Sequence, residues 1–103
     1  ENSYLTLSGI KIHEKFNEVY IDGAMKDMSD IEYHILLLMM QHAGKIFSAQ
    51  NLYESVWQEP YFYSCNSTVM VHIRHIREKI EINPREPKYL KVVWGIGYKI
   101  EKI

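Results

Sequence analysis

Residues 66–80, NSTVMVHIRHIREKI, are the stretch of this 103-residue chain whose pattern leaves the least conformational choice. Val69, Ile73, Ile76 and Ile80 recur at steps of four, three and four. At 3.6 residues per turn this stacks them into one apolar stripe that must be buried against something. The helix is predicted over 66–82, because Asn83-Pro84 ends it: the residue before a proline is biased away from helical geometry. Opposite the stripe fall Ser67, Thr68, Val71, Arg74, His75 and Glu78, with His72 and Arg77 on the flanks. A valine among hydroxyls, a guanidinium and an imidazole is unusual for a solvated back. It suits a helix in a DNA major groove, where Arg meets guanine edges and phosphates, hydroxyls meet phosphates, and a small apolar group meets the thymine methyl.

The rest of the chain supplies a scaffold for such a helix. Residues 4–26 alternate short apolar runs (Leu5, Leu7; Ile10, Ile12; Val19, Ile21) separated by Ser8-Gly9, the polar run 14–18 and Asp22-Gly23. Asp-Gly between strand-like runs signals a hairpin, so an antiparallel sheet of three or four strands is predicted. At Met28 the period changes. Ser29 followed by Glu32 fits a capping box, and Met28 with Tyr33 has the spacing of a hydrophobic staple, which predicts a helix over 30–43 stopping at Gly44. Its apolar residues cover nearly the whole circumference, as a central core element requires. Ser48 is expected to cap a shorter helix over 49–57, with Phe47 and Leu52 as its staple. After the aromatic loop QEPYFYSC and the 66–82 helix, residues 89–93 and 98–100 read as strands around Trp94-Gly95-Ile96-Gly97, whose glycines permit a tight reversal. The expected fold is α+β: an N-terminal antiparallel sheet, three helices and a C-terminal β-hairpin wing, together a winged helix-turn-helix forming one domain over 1–103.

A formal charge of −1 argues against nucleic acid, since DNA-binding domains are usually basic. The distribution answers this. Residues 1–44 carry three lysines against seven acids, a net −4, while residues 45–103 carry nine Lys and Arg against six acids, a net +3. No run reaches the roughly 18 apolar residues of a membrane span, the start ENSYLTL lacks signal-peptide character, and the single Cys65 can form no internal disulfide; the expected location is the cytoplasm. His72, His75 and Cys65 fall short of a four-ligand zinc set, so no metal or other cofactor is expected.

The runs STVMVHIRHIREKIE, NPREPKYLKVVWGIGYKI and MSDIEYHILLLMMQHAGKIFSAQNLYESVW resemble the OmpR/PhoB-type winged-helix output domains of bacterial two-component response regulators, over the whole chain. The most specific part is Thr68-Val69 with Val71-His72-Ile73-Arg74 and Arg77, followed by Gly95-Ile96-Gly97-Tyr98. The resemblance implies a transcription factor whose receiver domain, absent from this chain, is phosphorylated by a cognate sensor kinase and promotes pairing of two copies on tandem promoter half-sites. It also implies that Ser67, Thr68, Val71, His72, Arg74, His75 and Arg77 occupy recognition-helix contact positions, that Trp94 stands at the wing tip, and that the loop of Tyr61, Phe62 and Tyr63 meets RNA polymerase. Ser67, His75 and Glu78 stand where basic residues are common in the family, and Trp94 where Arg often enters the minor groove. The implied grip on phosphate is weaker than the family norm, with a larger share from pairing.

Each residue has a plainer alternative. Arg77, beside the core stripe, can instead form a salt bridge to an acid of the wing or sheet. Ser67 and Thr68 can cap the helix as well as touch phosphate. Tyr61, Phe62 and Tyr63 can fold back over the core, and Trp57 and Tyr98 are expected in it. Lys88, Lys91 and Lys99 read as a solvated face with loose phosphate attraction. At the level of function, the alternative to DNA binding is a winged-helix protein-association module, favoured by the net charge and by Trp94. An enzyme is not expected, because no nucleophile with a base, carboxylate pair or phosphate loop can be assembled.

Overall fold

The computed structural model describes residues 3–102. Four short strands, β1 (Tyr4–Leu7), β2 (Ile10–His13), β3 (Val19–Ile21) and β4 (Ala24–Lys26), pair antiparallel in chain order. Three helices follow, α1 (Asp30–Gln41), α2 (Ala49–Trp57) and α3 (Cys65–Ile80), and then the hairpin of β5 (Leu90–Val93) and β6 (Gly97–Ile100). This is the winged helix-turn-helix architecture read from the sequence. None of the helices is long and apolar enough to cross a membrane among the described residues.

Local chemistry sets most boundaries. Asp22 (φ 51°) and Gly23 (φ 85°) both take the left-handed region that a two-residue hairpin turn of Asp-Gly type demands. The Ser29 hydroxyl accepts the Glu32 N–H at 3.1 Å and the Glu32 carboxylate accepts the Ser29 N–H at 2.9 Å, closing the capping box of α1. Ser48 and Asn51 do the same for α2. Helix α1 ends at Gln41, short of the expected 43, because His42 leaves helical geometry and Gly44 (φ 91°) turns its N–H to the Ile100 carbonyl, 2.8 Å away on β6.

Helix α3 differs at both ends from the predicted 66–82. Its first turn grows out of the preceding loop: Cys65 and Asn66 donate their N–H groups to the carbonyls of Phe62 and Tyr63 at 2.8 and 3.1 Å. No side chain caps it, so Ser67 and Thr68 are inside the first turns rather than caps. It ends at Ile80 because Glu81 is extended (φ −95°, ψ 141°).

The core lies where three surfaces meet. Ile10, Ile12, Val19 and Ile21 come from the sheet, Ile35, Leu36 and Met39 from α1, and Val69, Ile73, Ile76 and Ile80 from α3, with Leu90 and Ile100 of the hairpin closing it. Each fully buried isoleucine contributes roughly 1.5–3 kcal/mol. The hairpin is stitched to the scaffold by a bridge in which Phe47 and Tyr98 exchange backbone hydrogen bonds at 2.7 and 2.8 Å. A Cβ on Gly97 would meet the Phe47 carbonyl oxygen at 2.0 Å, so that position tolerates only glycine. Gly95 (φ 74°) makes the reversal itself, so the two glycines serve different needs.

Candidate nucleic-acid interface

Burying the α3 stripe decides which groups face outward. Ser67, Thr68, Val71, Arg74 and Glu78 are exposed on the far side, together with Met70 at the edge. Arg74 pairs with no acid among the described residues. Val71 is outside the core, and the Ser67 hydroxyl donates to the Ser64 carbonyl at 3.3 Å, which leaves its lone pairs and the Thr68 side chain toward solvent.

The flanking residues are each held by a neighbour. On the side of α1 and α2, His72 packs its ring edge-on to Trp57 at 5.3 Å, and its Nδ1 lies 2.8 Å from the Thr68 carbonyl. The carbonyl can only accept, so Nδ1 carries a proton and Nε2 is the nitrogen left for a ligand. His75 turns toward α1, its Nδ1 3.7 Å from one oxygen of buried Glu32, while Lys79 donates to the other oxygen at 2.5 Å. Burial alone would push the Glu32 carboxyl up. The hydrogen bond from Lys79, the N–H of Ser29 and the charges of Lys79 and His75 outweigh it and hold the group below its ordinary 4.5.

On the wing side, Arg77 is half-buried and its Nε donates to the Leu90 carbonyl at 3.3 Å, a tie to the β5 backbone in place of a salt bridge to an acid. It lies near Tyr98, whose phenol burial pushes up against the opposing Arg77 charge. Glu81, just past α3, fixes the other end of this side. Its buried carboxylate accepts the N–H groups of Lys88 (2.7 Å), Tyr89 (3.0 and 3.2 Å) and Leu90 (2.8 Å), welding the start of β5 to the helix end.

At the wing tip the Ile96 N–H donates to the Val93 carbonyl at 3.0 Å, and Trp94 between them is 94% exposed. In the α2–α3 loop, Tyr61 packs against the core with its ring 6.0 Å from Tyr53, while Phe62 and Tyr63 are exposed, Tyr63 by 90%. Of the three loop aromatics, Tyr61 alone folds back over the core. Among the described residues no three His, Cys, Asp or Glu side chains come together as metal ligands.

Two structural residues escaped the sequence reading. Glu32 carried a visible signal only for its capping role, and Glu81 carried none, because its three donors lie at the entry to β5, seven to nine residues further on.

A family model described as "Transcriptional regulatory protein, C terminal" matches residues 23–100. The uncharacterized transcriptional regulatory protein YrkP of Bacillus subtilis is 52% identical over 99 residues, 96% of this chain and 43% of that protein. The regulatory protein VanR of Enterococcus faecium is 39% identical over 95 residues, 92% of this chain and 41% of that protein. The chain therefore spans about two-fifths of the length of these relatives. Among solved structures, the response regulator DrrB of Thermotoga maritima, an OmpR/PhoB homolog, superposes with a TM-score of 0.86 at 29% identity, over 98% of this chain and 45% of DrrB. The RstA DNA-binding domain of Klebsiella pneumoniae, solved in complex with the RstA box, shares the fold with a TM-score of 0.89 at 22% identity, over 99% of this chain and all of that one.

Proposed function

The chain belongs to the OmpR/PhoB-type family of winged-helix DNA-binding domains of response regulators, a family of transcription regulators and not of enzymes, and from that premise we propose that it binds double-stranded promoter DNA sequence-specifically. Helix α3 reads the major groove with Arg74, Val71, Thr68 and Ser67, and His72 contributes through Nε2. Arg77 braces the wing while facing the backbone. His75, with Nδ1 turned to Glu32 and its side chain 42% exposed, has Nε2 left for DNA. The wing and Trp94 lie along the backbone or minor groove. The observation that carries this reading is the mixed polar and apolar face of α3, held outward by a fully buried stripe on the same helix.

Regulation, in this reading, comes from a receiver domain on the remainder of a regulator of the relatives' length, phosphorylated by a sensor kinase in the cytoplasm. Two copies then occupy tandem half-sites, and exposed Phe62 and Tyr63, with Tyr61 as their base, meet RNA polymerase. The RstA domain bound to its box supplies a precedent for duplex binding by this fold.

Selection of bound fragments from random duplex DNA, followed by retardation across a salt series, tests the proposal. A recovered consensus whose binding weakens with salt supports it, and failure to enrich or retard any duplex sinks it. The second outcome would favour a protein-association module, for which the exposed apolar residues Val92, Trp94 and Ile96 on the wing speak.

A further inference from the structure

Between the C-terminal half of α3, the α3–β5 connection and strand β5 lies an open cleft of about 810 Å³. Arg74, Arg77, Arg85 and Lys91 line it against a single acid, Glu78, with Val92 on one wall. A chain of net charge −1 thus gathers four of its twelve Lys and Arg around one concavity. Building on the DNA-binding reading, we infer that this cleft holds the phosphate backbone of duplex DNA beside the half-site, and that Arg85 and Lys91 are phosphate-binding residues.

Each cation is available and placed. Arg77 is fixed at Nε by the Leu90 carbonyl, so the terminal amino groups of its planar fork remain for a phosphate. Arg85 sits between Pro84 and Pro87, and the Asn83 side chain accepts its N–H at 3.1 Å, so the loop that carries it is stiffened before any ligand arrives. Arg74, Arg77 and Arg85 have no acid within ion-pair distance among the described residues. Lys91 has only Glu101, at 3.8 Å in a partly exposed pair that a phosphate can displace, since Glu101 lies closer to Lys99, at 3.4 Å. The four cations line one open cleft, Arg74 belongs to both that cleft and the exposed face of α3, and none of the four is fully buried. That geometry suits a continuous polyanion lying across the cleft better than one small anion enclosed in it. It also places the charge beside the reading residues, where it adds affinity without sequence information.

The double variant Arg85→Ala/Lys91→Ala is tested by retardation of both the selected duplex and a random one, with folding checked by thermal melting. Binding should weaken by a similar factor on both, and the slope of log affinity against log salt should become shallower by roughly 1 to 2, at about 0.9 for each phosphate no longer neutralised. An unchanged slope in a folded variant overturns the inference while leaving the DNA-binding reading intact. Wild-type protein that retards no duplex defeats the reading itself. Glu78→Gln supplies a gain that misfolding cannot mimic: severalfold tighter binding at low salt is expected, and unaltered or weaker binding counts against the cleft. Titration with inorganic phosphate separates the two sources of phosphate. Weak, unsaturated shifts at Arg85 and Lys91 support the duplex, and saturation below about 1 mM would assign the cleft to a free anion and overturn it.

Discussion

The two flanks of α3 treat their basic side chains in opposite ways. Toward α1, Lys79 and His75 converge on one buried carboxylate, Glu32, which is already anchored by the Ser29 N–H. Toward the wing, the buried carboxylate, Glu81, directs its oxygens to backbone N–H groups, and Arg74 and Arg77 have no acid partner among the described residues. One acid neutralises side chains and locks the helix to the core; the other positions a strand and leaves the adjacent charge free for a polyanion. Helical angle alone makes His75 and Arg74 equivalent outer residues, and the placement of the acids separates them.

The largest effect should come from removing the wing-side anchor. Glu81→Ala leaves the buried N–H groups of Tyr89 and Leu90 without an acceptor, at about 1–3 kcal/mol for each group that water cannot reach, while the N–H of exposed Lys88 can turn to water. A loss of several kcal/mol in denaturant unfolding is expected. Glu81→Gln keeps one acceptor oxygen and should lose less. If both variants melt like wild type, the strand does not depend on the carboxylate and the contrast between the flanks fails.

Arg74→Ala asks whether the free charge is used for reading. It should cost about 1–3 kcal/mol of specific binding while leaving the melting temperature nearly unchanged, since the side chain is exposed and unpaired. An unfolded variant would place Arg74 in the scaffold, and wild-type affinity for the selected duplex would remove it from the recognition surface.

Glu32→Gln tests the opposite flank through stability. Losing a charge-assisted bond to half-exposed Lys79 should cost about 1–2 kcal/mol near neutral pH. The folded carboxyl sits below its ordinary 4.5, so the folded state binds fewer protons than the unfolded chain across that range. Its contribution is therefore complete above 4.5 and is lost as pH falls through the lower folded value. Wild-type melts should lose this increment on acidification, whereas the Gln variant should lack it. Parallel acid profiles for the two proteins would mean that Glu32 carries no net pairing energy.

What the sequence disclosed follows from the range over which each interaction acts. Ser29 with Glu32, Ser48 with Asn51, and Asp22 with Gly23 complete their chemistry within four residues, so their elements were legible. The stripe of Val69, Ile73, Ile76 and Ile80 was legible because helical periodicity is local even though its burial is not. The start of α3 was misplaced because carbonyls of Phe62 and Tyr63 satisfy it, and backbone acceptors leave no mark in a sequence. The pairing of Glu32 with Lys79 spans 47 residues and had no local sign. Gly97 read as a turn glycine, yet its need comes from the Phe47 carbonyl, brought to it from the α1–α2 connection. At the candidate interface, residue types pointed to α3; which of its side chains are already occupied depended on α1 and β5.

Trp94→Ala should have the smallest effect on folding and divides the wing-side surface into charge and contact. An indole 94% exposed adds almost nothing to stability, so the melt should stay within about 0.5 kcal/mol of wild type. A larger loss would mean that the ring packs against the scaffold. On DNA the indole neutralises no phosphate, so the variant should bind less tightly with an unaltered salt slope, unlike variants of the basic cleft. Half-buried Trp57 packs against His72 and Tyr53 and can sense binding through His72, so the exposed tip's share of the fluorescence quenched on binding should be absent in Trp94→Ala. If quenching is undiminished, or if the salt slope falls with it, the tip is no apolar contact beside a charged trough, and the wing acts through its cations alone.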